Sequence, residues 1–172
     1  MVVIDEAYFE FSGVTVIPWI RRQRNLIVTR TFSKAAGLAG LRLGCIFVHR
    51  DLAAHMRKAQ SPYPVNVAAL AAAEVAMRDQ AFIARTVRAV QQGRRELQNG
   101  FVRLGLRHFP SGGNFLLVYF GDRAKKIVTA LAGKGILLRD RSIDFGGEGY
   151  VRITIGTPEQ SRRLLRELEA IL

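Results

Sequence analysis

The feature that most constrains this chain is a pair of short apolar runs, each of which ends in reactive side chains. Val2-Val3-Ile4 stops at Asp5-Glu6-Ala7-Tyr8. Leu26-Ile27-Val28-Thr29 leads through Arg30-Thr31-Phe32-Ser33 to Lys34, then through a Gly/Ala-rich turn to Arg42 and Gly44. Continuous apolar runs of this length, bounded by turn residues, read as strands buried in a sheet. In an open α/β sheet a ligand lies beyond the carboxyl ends of the strands. Asp5 and Lys34 are therefore expected at strand ends, where a site would form, with a further apolar strand from Leu43 to Val48.

The ordered combination is more specific than any of its parts. Asp5-Glu6-Ala7-Tyr8 at a strand end, a second strand, Thr31-Phe32-Ser33-Lys34 and an arginine eight residues further on together resemble the active-site core of the fold-type-I pyridoxal-phosphate (PLP) aminotransferases. The wording is closest to the histidinol-phosphate aminotransferase branch. The resemblance implies an α/β fold, a partial PLP-transferase large-domain sheet plus an α/β small domain. It makes Lys34 the catalytic lysine, an amine on a flexible stem that binds the cofactor aldehyde and later moves a proton. By the same resemblance Asp5 faces the pyridine nitrogen, Tyr8 donates to the ring's phenolic oxygen, and Ser33 and Arg42 hold the cofactor phosphate. Arginine suits that last task because its fork grips two oxygens at once.

The later part of the chain carries the resemblance independently, in Gly112-Gly113-Asn114-Phe115, in Gly135 to Asp140 and in Tyr150 to Thr157. It implies that Arg152 binds an anionic group of the substrate and that Arg139 assists near its phosphate. The expected reaction is transamination between histidinol phosphate and 2-oxoglutarate. Aromatic aminotransferases and threonine-phosphate decarboxylase share the same core, and Asp5 to Gly44 does not separate them. A non-catalytic remnant that binds a partner is a further reading.

The resemblance covers nearly all 172 residues but corresponds to about half of a family member, the C-terminal half. The phosphate-cradling Gly/Ser loop, the aromatic that stacks on the pyridine ring and the asparagine that assists the ring oxygen have no counterpart here. A truncated product, inactive alone, is therefore expected, with a homodimer when full length. The partners implied are a small-molecule amino donor and a 2-oxo acid.

Composition fits this reading in its 49% hydrophobic content but is unusual in charge, with 26 lysines and arginines against 14 acidic residues, a formal charge of +12 and a pI near 11.0. Such a balance raises the question of nucleic acid. The basic residues are scattered, however, and the clusters Arg21-Arg22-Gln23-Arg24 and Arg162-Arg163 fall on expected loop or helix surfaces, so no nucleic-acid partner is expected. The lone Cys45 is expected as a small buried side chain, which excludes a disulfide framework. With no secretory leader and no apolar run of membrane-spanning length, a cytoplasmic location and no membrane partner are expected.

Three blocks organise the chain: residues 1–60 as a remnant of the PLP-binding large domain, 61–105 as connecting helices, and 106–172 as a C-terminal small domain. Asn66 is expected to cap a helix reaching Met77, and Asp79 a longer one whose inward face is Phe82, Thr86, Val90, Gly93, Leu97, Phe101 and Leu104. Strands are expected at 115–120, 136–139 and 151–155, with Asp122 capping a helix over 123–132. Thr157-Pro158-Glu159-Gln160 carries a capping residue, proline at the first helical position and glutamine at the third. Leu164, Leu165, Leu168 and Ile171 should bury the final helix. Asp144-Phe145-Gly146 reads as a turn and Gly133-Lys134-Gly135 as a helix end, while His49, His55 and His108 lack metal-ligand spacing.

Overall fold

The computed structural model describes residues 1–172 and is mixed α/β. Two compact units divide the chain, Met1–Val87 and Arg88–Leu172.

In the first unit, β1 (Val2–Asp5) pairs in parallel with β2 (Leu26–Thr31), and β2 pairs antiparallel with β3 (Gly44–Val48). The order β1-β2-β3 makes β2 the central strand, so Leu26 and Val28 are buried beneath Ile20, with Val16, Ile17 and Phe47 packed around them. The outer strands are less covered than their apolar sequences suggest. Val2, Val3 and Ile4 are 47%, 60% and 37% exposed, which corrects the expectation of a buried first strand: β1 is laddered on one side only. Cys45 is half-buried for the same reason, on the outer strand β3. Burial still pushes its thiol pKa up, away from the reactive thiolate.

A short helix α1 (Phe9–Ser12) follows β1, and α2 (Arg50–Ala59) follows β3. Helix α3 (Val67–Arg78) begins as expected at Asn66, whose side chain accepts from the Ala69 N–H at 2.8 Å. Its Ala69 and Ala73 pack against Leu43. Asp79 then accepts from the Phe82 N–H at 2.9 Å as α4 (Gln80–Arg103) starts.

The second unit holds one continuous core. Its sheet has the order β4-β5-β7-β6, antiparallel throughout, from β4 (Arg107–Phe109), β5 (Phe115–Tyr119), β6 (Arg139–Asp140) and β7 (Tyr150–Thr154). Alternation puts Leu116, Val118, Val151 and Ile153 on the buried face, against Leu97 and Phe101 of α4, Ile127 and Leu131 of α5 (Ala124–Gly133), and Leu164, Leu165 and Leu168 of α6 (Pro158–Ile171). The expected inward face of α4 holds from Val90 onward but not at Phe82, which is 42% exposed. Gly93 and Gly100 belong to that face because a methyl on either would run into Ile155 or Leu165.

Two expected elements are replaced. Asp122 does not cap α5: a 3₁₀ turn over Gly121–Arg123 comes first, and the Ala124 N–H bonds back to the Gly121 carbonyl with no side-chain cap. The strand expected at 136–139 shrinks to Arg139–Asp140. Gly135, at φ +73°, reverses the chain after α5, so Ile136 and Leu138 reach the core from an unpaired segment while Leu137 is 83% exposed. The capping box of α6 forms in full, with Thr157 Oγ1 accepting from the Gln160 N–H and Gln160 Oε1 from the Thr157 N–H. No helix is long and apolar enough to cross a membrane.

Candidate active site

The parallel pairing of β1 with β2 brings the first two motifs together. Asp5 stands beside Thr29 in register, and its Oδ1 accepts from the Thr29 hydroxyl at 3.0 Å and from the Ala7 N–H at 3.1 Å. These bonds fix the carboxylate at the carboxyl end of the strand. The chain turns at once, and the Phe9 N–H returns to the Glu6 carbonyl at 2.9 Å, so Tyr8 sits inside a tight turn above that end.

The lysine arrives from the neighbouring strand. Beyond β2 the Ser33 N–H donates to Thr31 Oγ1 at 3.1 Å and the Gly37 N–H to the Lys34 carbonyl at 3.0 Å, which folds the Ser33-Lys34 segment into a turn. Lys34 is half-buried, and its Nζ lies 5.5 Å from the centre of the Tyr8 ring. Asp5, Tyr8 and Lys34 thus stand on adjacent strand ends, with Ser33 in the same turn. An ammonium over a phenol face is itself favourable, by about 0.5–1 kcal/mol where exposed.

Arg42 closes the loop in an uncommon backbone conformation. Its φ of +55° makes it the only non-glycine residue in the left-handed region, and its Nη1 donates to the Ala39 carbonyl at 3.0 Å. Such a conformation costs of order 1 kcal/mol and persists where surrounding structure imposes it. Here the constraint is Gly44: a Cβ at that position would stand 2.8 Å from the Arg30 carbonyl oxygen, so β3 must approach β2 closely just after Arg42.

Glu6 and Arg30 lie inside the two motifs with no role expected of them, and the structure makes them the best-connected pair in the unit. Glu6 is 8% exposed, and its carboxylate accepts from the Val16 N–H at 2.6 Å, from the Thr15 hydroxyl at 2.9 Å and from Arg30 Nε and Nη2 at 3.0 and 2.9 Å. Burial pushes its pKa up, but the hydrogen bonds from Val16, Arg30 and Thr15 outweigh this and hold the carboxyl below the usual range. The Arg30 guanidinium lies 3.4 Å over the Phe9 ring and 5.6 Å from that of Phe47. Opposite charges inside two otherwise apolar strand ends were the available signal.

Arg152 and Arg139 lie in the second unit. They are directly opposite each other across β6 and β7, and Leu117 of β5 continues the row. Arg152 is half-buried, its guanidinium 5.5 Å from the Phe115 ring, and its Nε is buried without a hydrogen-bond partner.

The first unit thus holds an amine facing a phenol, and a carboxylate tied down by two donors at the neighbouring strand end. The model for aminotransferase class I and II matches residues 1–168. The chain belongs to the aminotransferase class I and II family. A histidinol-phosphate aminotransferase of Carboxydothermus hydrogenoformans is 42% identical over all of this chain and 49% of its own length. The solved histidinol-phosphate aminotransferase of Sinorhizobium meliloti, in complex with pyridoxal-5'-phosphate, superposes with a TM-score of 0.89 at 27% identity, over 99% of this chain and 48% of that one. An L-threonine-O-3-phosphate decarboxylase of Porphyromonas gingivalis gives 0.86 at 29% identity, over 98% and 54%. This member of the family spans about half the length of the curated relatives it matches. The family's cofactor is PLP, and the residue types gathered at the ends of β1 and β2 fit it: an amine for its aldehyde, a carboxylate for its ring nitrogen and a phenol for its ring oxygen.

Proposed function

We propose that this chain supplies the lysine-bearing part of a PLP-dependent aminotransferase acting on histidinol phosphate with 2-oxoglutarate as the amino acceptor, in histidine biosynthesis. The observation that carries the reading is the convergence of Asp5, Tyr8 and Lys34 on the carboxyl ends of two parallel strands. Asp5, Tyr8, Ser33 and Arg42 would hold the cofactor. PLP supplies an aldehyde for an amine and a ring that withdraws electrons from the bond being broken.

The work of the chain's own residues follows from their chemistry. Lys34 is the base that would take the proton from the substrate's Cα and hold it on its amine for return, a task suited to an amine on a mobile stem. Asp5, oriented by Thr29 and Ala7, would hold a proton at the ring nitrogen. Tyr8, whose ring faces the Lys34 amine, would donate to the ring oxygen. Arg152, with Arg139 beside it, binds the phosphate or carboxylate of the alternating substrates. The enzyme works as a cytoplasmic homodimer. Similarity to the decarboxylase of P. gingivalis favours a second reading, a carbon dioxide-releasing reaction on an amino-acid phosphate, because both reactions need the same cofactor-handling residues.

Incubation with PLP, reduction with borohydride and peptide mapping test the site. Label concentrated at Lys34 is expected. Label spread evenly over Lys125, Lys126 and Lys34 removes Lys34 from the role. In the assembled enzyme, 2-oxoglutarate-dependent consumption of histidinol phosphate separates the first reading from release of carbon dioxide.

A further inference from the structure

The Glu6–Arg30 pair lies between the two segments that carry the site. Glu6 follows Asp5 and precedes Tyr8 by two residues, and Phe9, on whose ring Arg30 lies, follows Tyr8. On the other side Arg30 is joined in sequence to Thr31, whose hydroxyl accepts the Ser33 N–H and donates to the Leu43 carbonyl at 3.4 Å. The Arg30 carbonyl is also the atom that Gly44 must approach, and Arg30 is in register with Cys45. One side chain and its own backbone therefore touch the Asp5–Tyr8 turn, the strand leading to Lys34 and the strand leaving Arg42.

Stability alone is a poor reason for such a pair. Removing two charges from water is costly, and a well-packed apolar pair of the same volume often does as well or better. What an ion pair adds is geometry, because a planar fork facing a carboxylate accepts few alternative registers. Here the carboxylate is further pinned by Thr15 and Val16, and Arg30 Nη2 also donates to Thr15 Oγ1 at 2.8 Å. Neither partner can shift without breaking several bonds together.

We propose that Glu6 and Arg30 are positioning residues, whose ion pair holds the Asp5–Tyr8 turn against the Ser33–Lys34 turn so that the Lys34 amine and the groups around it meet the cofactor together. This rests on the reading of Lys34 as the amine that takes PLP. Thr15 and Phe9 belong to the same device, since one bonds both partners and the other fixes the plane of the guanidinium.

The test compares the 172-residue chain with Glu6→Gln, Arg30→Met and Arg30→Lys. Each is incubated with PLP across a range of pH and reduced with borohydride, and the share of label at Lys34 relative to Lys125 and Lys126 is normalised to the folded fraction from amide hydrogen exchange in β2. Glu6→Gln and Arg30→Met should lower the Lys34 share about tenfold and move the pH midpoint of its labelling, as expected when a reacting group is displaced by a fraction of an ångström. Arg30→Lys, which keeps the charge but loses the fork, should recover part of the loss. A purely structural pair would lower the folded fraction and leave the normalised share and the midpoint alone, and that result overturns the proposal. If Glu6→Gln and Arg30→Met do not fold, Arg30→Lys decides: an unchanged share in that variant overturns the proposal, and a reduced one supports it. Failure of the unsubstituted chain to label selectively at Lys34 overturns the cofactor reading, and the positioning role falls with it.

Discussion

Arg152 stands directly opposite Arg139 in the ladder between β7 and β6, two like charges on neighbouring strands of one sheet. A pair of this kind is unfavourable unless an anion lies between or beside the charges. Phosphate should therefore raise the thermal stability of the second unit more than chloride at equal ionic strength, by about 1.4 kcal/mol when phosphate is at ten times its Kd. Arg139→Gln should abolish that gain and, without phosphate, stabilise the sheet by about 0.5 kcal/mol. Amide exchange of Tyr150–Thr154 during melting gives both numbers. Equal responses to phosphate in the two chains would remove the anion from this row.

Gly100 and Gly133 should respond to alanine with opposite signs. A Cβ on Gly100 would meet Leu165 Cδ2 and Cδ1 at 2.5 and 2.6 Å, and Leu165 is buried, so overpacking should exceed the gain in helix propensity and cost about 1–2 kcal/mol net. A Cβ on Gly133 meets nothing within 4 Å, and Gly133→Ala should stabilise by up to about 0.5–1 kcal/mol. Urea denaturation of the two variants checks the pair.

Thr157→Ala should cost about 1 kcal/mol, because the first turn of α6 loses the bond from the Gln160 N–H while Gln160 loses its reciprocal arrangement. Thr157→Ser keeps the hydroxyl and should lie within a few tenths of a kcal/mol of the unsubstituted chain. Equilibrium denaturation distinguishes the two.

Several features were legible in the sequence because one residue or a short period dictates them. Asn66, Asp79 and Thr157 cap the helices expected of them, and Leu164, Leu165 and Leu168 are buried at the expected spacing. That Asp5 ends β1 and that Lys34 lies in the turn after β2 was readable as motif order. The failures have a common cause, which is that burial depends on neighbours that a local pattern does not contain. Val2 to Ile4 have the composition of a central strand and the position of an outer one, and Cys45 follows the same rule. Asp122 was displaced by a 3₁₀ turn that leads into the helix through a backbone bond from Ala124 to Gly121. The Glu6–Arg30 bond joins residues whose partnership becomes visible only once β1 and β2 are set side by side.

Acidification should weaken the first unit before the second. The folded pKa of Glu6 lies below its ordinary 4.5, so its contribution is fully present above that value and is lost as pH falls through the lower, folded pKa. Protonation removes the charge that faces Arg30 inside the strand ends. Hydrogen exchange of Leu26–Thr31 should therefore accelerate below pH 4.5 relative to that of Phe115–Tyr119, and Glu6→Gln should flatten the difference. Parallel acceleration in both strands would place the acid sensitivity elsewhere.

The two units differ most in how their apolar residues are gathered: the second has one continuous cluster running through three helices and its sheet, whereas the first has two separate clusters of three buried residues each. Segments with few shared apolar contacts open at lower free energy than those with a single cooperative core. In a cell this sets the order of degradation. Proteases would reach the loop that carries Lys34 during openings that leave the β5 and β7 ladder closed, so the most durable fragment would be the one without that lysine.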